Sequence, residues 1–235
     1  MILSLRDEML ASLDCNRLRA HNIRALEAPI HVASPKTYDV QIADSAKGFI
    51  LTSQQAAYAL PQTGQDRPVF TVGRASAASA RARGYHNVFF GPSDGAALAE
   101  MIIAYQPQTP LCWLRATRIS FDMTSALQKA GLPVDEAIVY EMQNKPALPK
   151  PALSALQKGV VTGIMALSKA QLNHLVDLLH HHDLWHLTNQ IDLFVVSDKV
   201  AEAASQDGWR SIITARRKRA ISVQAAVICQ ARTAQ

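Results

Sequence analysis

Two stretches decide the fold: residues 48–60, GFILTSQQAAYAL, and residues 163–175, GIMALSKAQLNHL. Each opens on glycine, runs through a short apolar segment, turns at a serine and continues at helical spacing. A strand followed directly by an amphipathic helix is the building unit of α/β proteins. A serine at the turn suits a helix N-cap, whose oxygen accepts a free N–H of the first turn. Ser53 falls on Ser168, 115 residues further on.

Working outward, two more segments repeat. ILSLRDE at 2–8 lines up with LCWLRAT at 111–117, which places Arg6 on Arg115 at an offset of 109. VFTVGRASAASARARGYHNV at 69–88 resembles LFVVSDKVAEAASQDGWRSI at 193–212, with Gly84 on Gly208 at an offset of 124. The order of the repeats implies two similar domains, one of them discontinuous. Residues 1–34 with 148–235 form one and residues 35–147 form the other, both ordinary domain sizes. The crossings HVASPKTY and YEMQNKPALPKP are polar and contain proline, as linkers do. A two-stranded hinge and a cleft between the domains follow as expectations.

Short apolar runs alternate with helix-length stretches along the whole chain. Strands are expected at ILSL, RALEAPIHV, GFILT, PVFTV, NVFF, LCWL, PVDEAIVY, VVTGIMA, IDLFVV and RSIIT. Helices are expected at 7–20, 53–60, 74–83, 94–104, 120–129, 149–157, 168–178, 197–206 and about 219–229. The fold class is therefore α/β, with two parallel sheets flanked by helices.

Composition narrows the function. The chain has 235 residues, 49% hydrophobic and 18% charged, which excludes a disordered or collagen-like protein. No run of about 18 apolar residues exists, so no membrane helix is expected. The start, MILSLRDEML, lacks a basic n-region and a long apolar stretch, so a cytoplasmic protein is expected. Cys15, Cys112 and Cys229 are too scattered for a disulfide framework or a paired metal motif. Lys and Arg number 24 against 19 Asp and Glu, a net charge of +5. From Gly208 onward there is no acid, yet Arg210, Arg216, Arg217, Lys218, Arg219 and Arg232 lie there. An anionic partner is implied.

The segments ILTSQQAAYAL, FTVGRASAASARARGYHNV, LCWLRA with LQKAGLPVDEAIVYE, and the serine of MALSKAQL together resemble the uroporphyrinogen-III synthase family. The resemblance runs from about Leu3 to Val227. It implies two α/β domains on a two-stranded connection. It also implies cyclisation of the linear tetrapyrrole hydroxymethylbilane to uroporphyrinogen III, with loss of water and inversion of the fourth ring. It implies no metal or organic cofactor; the residues themselves point to no nucleic acid and no membrane, and a monomer is expected because one chain supplies both domains.

That substrate is a polycarboxylate, and in open parallel sheets ligands bind beyond the carboxyl ends of the strands. Helix N-termini there offer N–H groups to anions. Thr52, Ser53 and Gln54 match the family's Thr-Ser turn, where substrate contact and helix capping are compatible. Gly73, Arg74 and Ser76 match a Val-Gly-x-x-Thr motif with Ser for Thr. Ser168 and Lys169 match the turn of the other domain. Ser197 and Lys199 depart from the family's Gly-Pro-Thr-Thr, with Lys199 standing where neutral donors are usual. Arg6 and Arg115 end equivalent strands and either bind carboxylates or cap local carbonyls. Tyr140, closing AIVYE, is a weak candidate for the general acid; otherwise it packs at the second crossing.

Other features read more plainly. His182 and His186 have the spacing of a zinc-binding helix face, but no HExxH glutamate stands between them, so a polar helix end is expected. ARRKR at 215–219 has no accompanying nucleic-acid motif and reads as a solvated helix start. The competing function is a two-domain hinged binding protein for an anionic small molecule. A nucleotide-dependent enzyme is disfavoured, because neither GxGxxG nor GxxxxGK[ST] occurs.

Overall fold

The computed structural model describes residues 1–91, 94–204 and 208–233. Its strands, in chain order, are β1 Ile2–Ser4, β2 Ala25–Glu27, β3 His31–Pro35, β4 Gly48–Leu51, β5 Val69–Val72, β6 Val88–Gly91, β7 Leu111–Ala116, β8 Val134–Asn144, β9 Gly163–Ala166, β10 Asp192–Val195 and β11 Ser211–Thr214. The helices are α1 Glu8–Arg19, α2 Val40–Ser45, α3 Gly73–Ala82, α4 Gly95–Tyr105, α5 Met123–Gln128, α6 Lys150–Gln157, α7 Lys169–His181, α8 Asp198–Ala201 and α9 Ala220–Thr233.

The chain divides into two compact units, Met1–Val32 with Gln143–Gln235 and Ala33–Met142. These bounds fall slightly earlier than the expected 34/35 and 147/148, and both lie inside strands, β3 and β8. The first unit has a five-stranded sheet, order β11-β10-β9-β1-β2, paired in parallel throughout. The second has a six-stranded sheet, order β3-β8-β7-β4-β5-β6, whose β8 to β6 stretch is parallel. β3 and β8 are the two segments in which the chain passes between units.

Sheets covered on both faces need strands that are apolar on both sides. β4 and β9 are buried at every position. In the first unit one layer packs around Leu3, Ile164 and Leu193, and the other around Met165, Phe194 and Val223. In the second, Phe49 and Leu114 belong to one layer and Ile50, Phe70 and Trp113 to the other. Each such side chain contributes about 1.5–3 kcal/mol on burial. The glycines opening both decisive stretches have a packing reason. A Cβ at Gly163 meets Ile2 and Phe194 at 2.8 Å, and one at Gly48 meets Leu111 and Pro68 at 3.0 Å.

Caps follow the sequence. Asp7, Asp94 and Asp122 accept from Leu10, Ala97 and Ser125 backbone N–H groups at 3.2, 2.9 and 2.9 Å. Gly84 and Gly131 follow α3 and α5 with φ of 90° and 78°.

Several expectations are corrected. RALEAPIHV is two strands, β2 and β3, separated at Ala28–Ile30, where Pro29 removes a donor. Residues 53–60 hold a 3-10 helix, Gln55–Ala59, not an α-helix. α2 and a second 3-10 helix, Trp185–Gln190, arise in segments expected to be loop. α8 spans four residues, and the end of the expected 197–206 helix lies outside the described residues.

Candidate functional site

In the second unit a cavity of about 360 Å³ opens where β4, β5, β7 and β8 end. Strand order reverses here, between β7 and β4. This is the topological switch point, the usual ligand position in doubly wound sheets. Thr52, Ser53, Val72, Trp113 and Tyr140 form its floor, and Arg118 to Phe121 with Asp94 and Gly95 form its rim.

The floor is tied together by hydrogen bonds. Tyr140 Oη donates to Ser53 Oγ at 2.8 Å, and the Ala56 N–H donates to the same oxygen at 3.3 Å. Ser53 is thus a cap and a cavity residue at once. Trp113 Nε1 donates weakly to Thr52 Oγ1 at 3.4 Å. Gln54 starts the 3-10 helix and forms no capping bond.

The next turn has a different design. Gly73 begins α3 at φ 74°, with nothing within 4 Å of the space a Cβ would take. A side chain is strained at that φ, so glycine keeps the approach to the helix open. Val72 precedes it and gives no side-chain cap, so the first-turn N–H groups have no side-chain acceptor from the cap position. Arg74 is exposed, its guanidinium 5.8 Å from the Phe90 ring. Ser76 is 4% exposed on the inner face of α3, beside Ala77 and Ala80.

The first unit repeats the pairing of a capped and an uncapped turn. Ser168 Oγ accepts from the Gln171 N–H at 3.1 Å, while Gln171 Oε1 accepts from Leu167 N–H at 2.8 Å. This is a reciprocal cap of the capping-box kind. Ser197 precedes α8 without a side-chain capping bond. Lys169 and Lys199 are exposed just after these turns.

Both strand-end arginines are held by acids of their own unit. Arg115 Nε donates to Glu136 Oε2 at 2.7 Å, and its Nη1 donates to the carbonyls of Ala116 and Thr117 at 2.9 and 3.3 Å. Thr124 also donates to Glu136. Arg115 therefore orders the chain leading into the cavity rim. Arg6 Nη1 meets Asp14 Oδ1 at 3.2 Å. Asp14 is buried and also accepts from Ser4 at 2.8 Å and Gln224 at 2.5 Å. Arg115 caps local carbonyls as one of the two readings has it, whereas Arg6 meets a carboxylate of its own unit.

Burial pushes the Cys112 thiol up to about 12 and the Cys15 thiol up to about 11, so both stay protonated and unreactive at neutral pH. Among the described residues no group of three His, Cys, Asp or Glu is placed to hold a metal. His182 caps the C-terminus of α7 and His186 sits in the following 3-10 helix, so they do not share a helix face. ARRKR forms bends ahead of α9. No helix of the described residues is long and apolar enough to cross a membrane.

Sequence reasoning missed Trp113 and the rim. Trp113 is 1% exposed and reads as core. Residues 117–121 carry no motif, and the signal available was only their place after a repeated strand.

Fold and site define a two-unit, doubly wound α/β protein with its cavity at a switch point. The family model described as uroporphyrinogen-III synthase HemD matches residues 15–223, and the chain belongs to that family. The structure resembles uroporphyrinogen-III synthetase from Helicobacter pylori, with a TM-score of 0.65 and 14% identity over 97% of this chain and 98% of that one. It also resembles a mutant uroporphyrinogen III synthase from the extreme thermophile Thermus thermophilus, with a TM-score of 0.51 and 12% identity over 100% of this chain and 99% of that one. No curated protein matches the sequence.

Proposed function

We propose that the chain cyclises hydroxymethylbilane to uroporphyrinogen III, with loss of water and inversion of the fourth pyrrole ring. It acts as a cofactor-independent lyase, a cytoplasmic monomer needing neither metal nor nucleic acid. The observation that carries this reading is a cavity at the carboxyl ends of the strands in a chain of the uroporphyrinogen-III synthase family.

The chemistry asks little of the protein. Loss of hydroxide from an electron-rich pyrrole leaves a stabilised azafulvene cation, and a nearby acid assists departure. Closure at the substituted carbon of the fourth ring is then a matter of holding the chain in one geometry. In the second unit, Arg74 and the N–H groups at the uncapped Gly73 turn are suited to substrate carboxylates; in the first, Lys169, Lys199 and the uncapped Ser197 turn offer the same chemistry. Thr52, Ser53 and Gln54 add hydrogen bonds at the end of β4. Tyr140, bonded to Ser53, is the hydroxyl placed to assist hydroxide loss.

The test is incubation with freshly made hydroxymethylbilane, oxidation, and chromatographic separation of the type I and type III isomers. Type III product without added metal or nucleotide is expected. Exclusive type I product sinks the reading.

A further inference from the structure

The first unit contains a second cavity, of about 520 Å³, which the reaction above does not use. It is a groove between β11, an edge strand, and the outer side of α9. Its floor and walls include Ile213, Ala226, Cys229 and Gln230, and Arg216 and Arg217 stand at one end.

The second unit explains why the groove is open. Strand registers superpose its β5 and β6 on β10 and β11: Phe70 pairs with Phe89, as Phe194 pairs with Ile213. α4 corresponds to α9, with buried Leu98 and Ile102 playing the part of Val223 and Val227. Three residues after the first of each pair stand Met101 and Ala226, and seven residues after it stand Tyr105 and Gln230. In the second unit the corresponding space is filled by the chain's own rings. Tyr105 lies 4.8 Å from Phe89 and 5.2 Å from Phe70 between ring centres. In the first unit Ile213, Ala226 and Gln230 are too small to do this. The groove lies on the side of the sheet where the second unit seats the Tyr105 ring.

Charge selects the other end of the occupant. Arg216, Arg217, Lys218 and Arg219 are all exposed. None has a side-chain hydrogen bond or ion pair to a described residue. They precede the N-terminus of the 14-residue α9, where the helix dipole adds more positive potential. Four adjacent cations repel one another there until an anion arrives.

We propose that the groove between β11 and α9 binds an amphipathic aromatic anion. Its ring system lies against Ile213 and Ala226, and its carboxylate, phosphate or sulfonate meets Arg216 and Arg217. The volume falls in the range usual for small-molecule sites. No covalent step is involved, and the site is independent of hydroxymethylbilane turnover.

The probe is anilinonaphthalenesulfonate, an aromatic anion whose fluorescence rises on leaving water. The full-length protein is titrated at low and at physiological salt. One saturable site is expected. Ala226→Met with Gln230→Tyr, which copies the filling of the second unit, should raise its Kd by at least about tenfold by steric exclusion. Arg216→Ala with Arg217→Ala should raise Kd roughly threefold to tenfold at low salt and flatten its salt dependence. Circular dichroism checks the filled variant, and the surface double-alanine variant tests the proposal independently of any folding defect. Turnover of hydroxymethylbilane should be unchanged in both. Absence of saturable binding overturns the proposal. So does a folded filled variant that binds as tightly as the parent, or a charge variant that keeps both affinity and salt dependence.

Discussion

The two units are one sheet read from different starting points. In the first, with spatial order β2-β1-β9-β10-β11, the chain enters at the second position, fills the first and then runs from the third to the fifth. In the second, β8-β7-β4-β5-β6 has the same order, but the chain enters at the third position and supplies the first two last. Parallel pairing and the switch point survive this permutation, because each strand–helix unit packs through its own apolar run rather than through its place in the chain. The units differ in what surrounds the strand ends. Around Asp14 and Ser168 the first ties its strand ends with buried ionic and capping bonds, whereas the second leaves a cavity floored by Trp113, Ser53 and Tyr140.

The largest expected effect concerns the strand-end arginines. Asp14 is 1% exposed and satisfies Ser4, Arg6 and Gln224 together. Asp14→Ala strands these polar groups in the core, at a cost of about 3–5 kcal/mol. The side chain of Glu136 is 30% exposed, so water can replace it, and Glu136→Ala should cost about 1 kcal/mol. Urea unfolding of both variants measures the difference. Equal losses break the contrast between a buried ion pair in the first unit and a solvent-accessible one in the second.

Acid should act on the first unit before the second. Burial alone raises the Asp192 carboxyl, but hydrogen bonds from Arg210 and Ser211 and the Arg210 charge outweigh it and hold the group below its usual value. Arg210 Nε and Ser211 Oγ each reach Oδ1 at 2.7 Å. A depressed folded pKa contributes stability above the unfolded value, about 3.9, and that contribution disappears as pH falls through the folded value. The position matching Asp192 in the second unit is Pro68, which cannot titrate. Unfolding of the parent should therefore become easier below about pH 4, with amide exchange rising first in β10 and β11. Asp192→Asn should lose about 1–3 kcal/mol at neutral pH and show a weaker acid dependence. Acid-induced exchange starting in β4 and β5 instead counts against this account.

The internal repeats made the shared sheet legible. Offsets of 109, 115 and 124 bring β7 onto β1, β9 onto β4 and β10 onto β5, the correspondence the registers show. Strand–turn–helix boundaries were legible because Asp, Ser and Gly mark them chemically. The second crossing was not, since Glu141–Asn144 shows no buried apolar alternation, and only its partner strand makes it β. Nor was the role of Trp113: a buried strand tryptophan reads as core until the loop 117–121 folds over it. Arg6 and Arg115 were legible as a matched pair, but their acids stand eight and 21 residues away, at spacings no repeat marks.

A smaller effect separates the capped turn of the first unit from its uncapped one. Ser168 caps α7, a helix of 13 residues, and Gln171 Oε1 in return accepts from the Leu167 N–H. Ser168→Ala should cost about 1 kcal/mol of stability. Ser197 forms no capping bond and precedes only four helical residues, so Ser197→Ala should leave the midpoint of urea unfolding nearly unchanged. A larger loss for Ser197→Ala would show that α8 is held by its cap rather than by Val200 in the core.

The smallest effect tests whether the open floor of the second unit works as a unit or through one group. Tyr140 and Ser53 share a 2.8 Å bond, and Ala56 donates to the same serine. If the substrate is held by many donors, removing one hydroxyl weakens one neutral hydrogen bond, about 0.5–1.5 kcal/mol. Ser53→Ala and Tyr140→Phe should then each lower kcat/KM roughly threefold to tenfold while type III product persists. Because they act through one shared bond, the double variant should lose less than the sum of the two. Ser168→Ala, whose hydroxyl is committed to its helix, should stay within about threefold of the parent. Steady-state kinetics of the four variants, with folding verified, decides between the pictures. A folded Tyr140→Phe protein that loses about a thousandfold in kcat, with KM unchanged, corresponds to about 4 kcal/mol of transition-state stabilisation. No single neutral hydrogen bond supplies that much. Such a result would make Tyr140 the proton donor to the departing hydroxide, and Ser53 the residue that orients it.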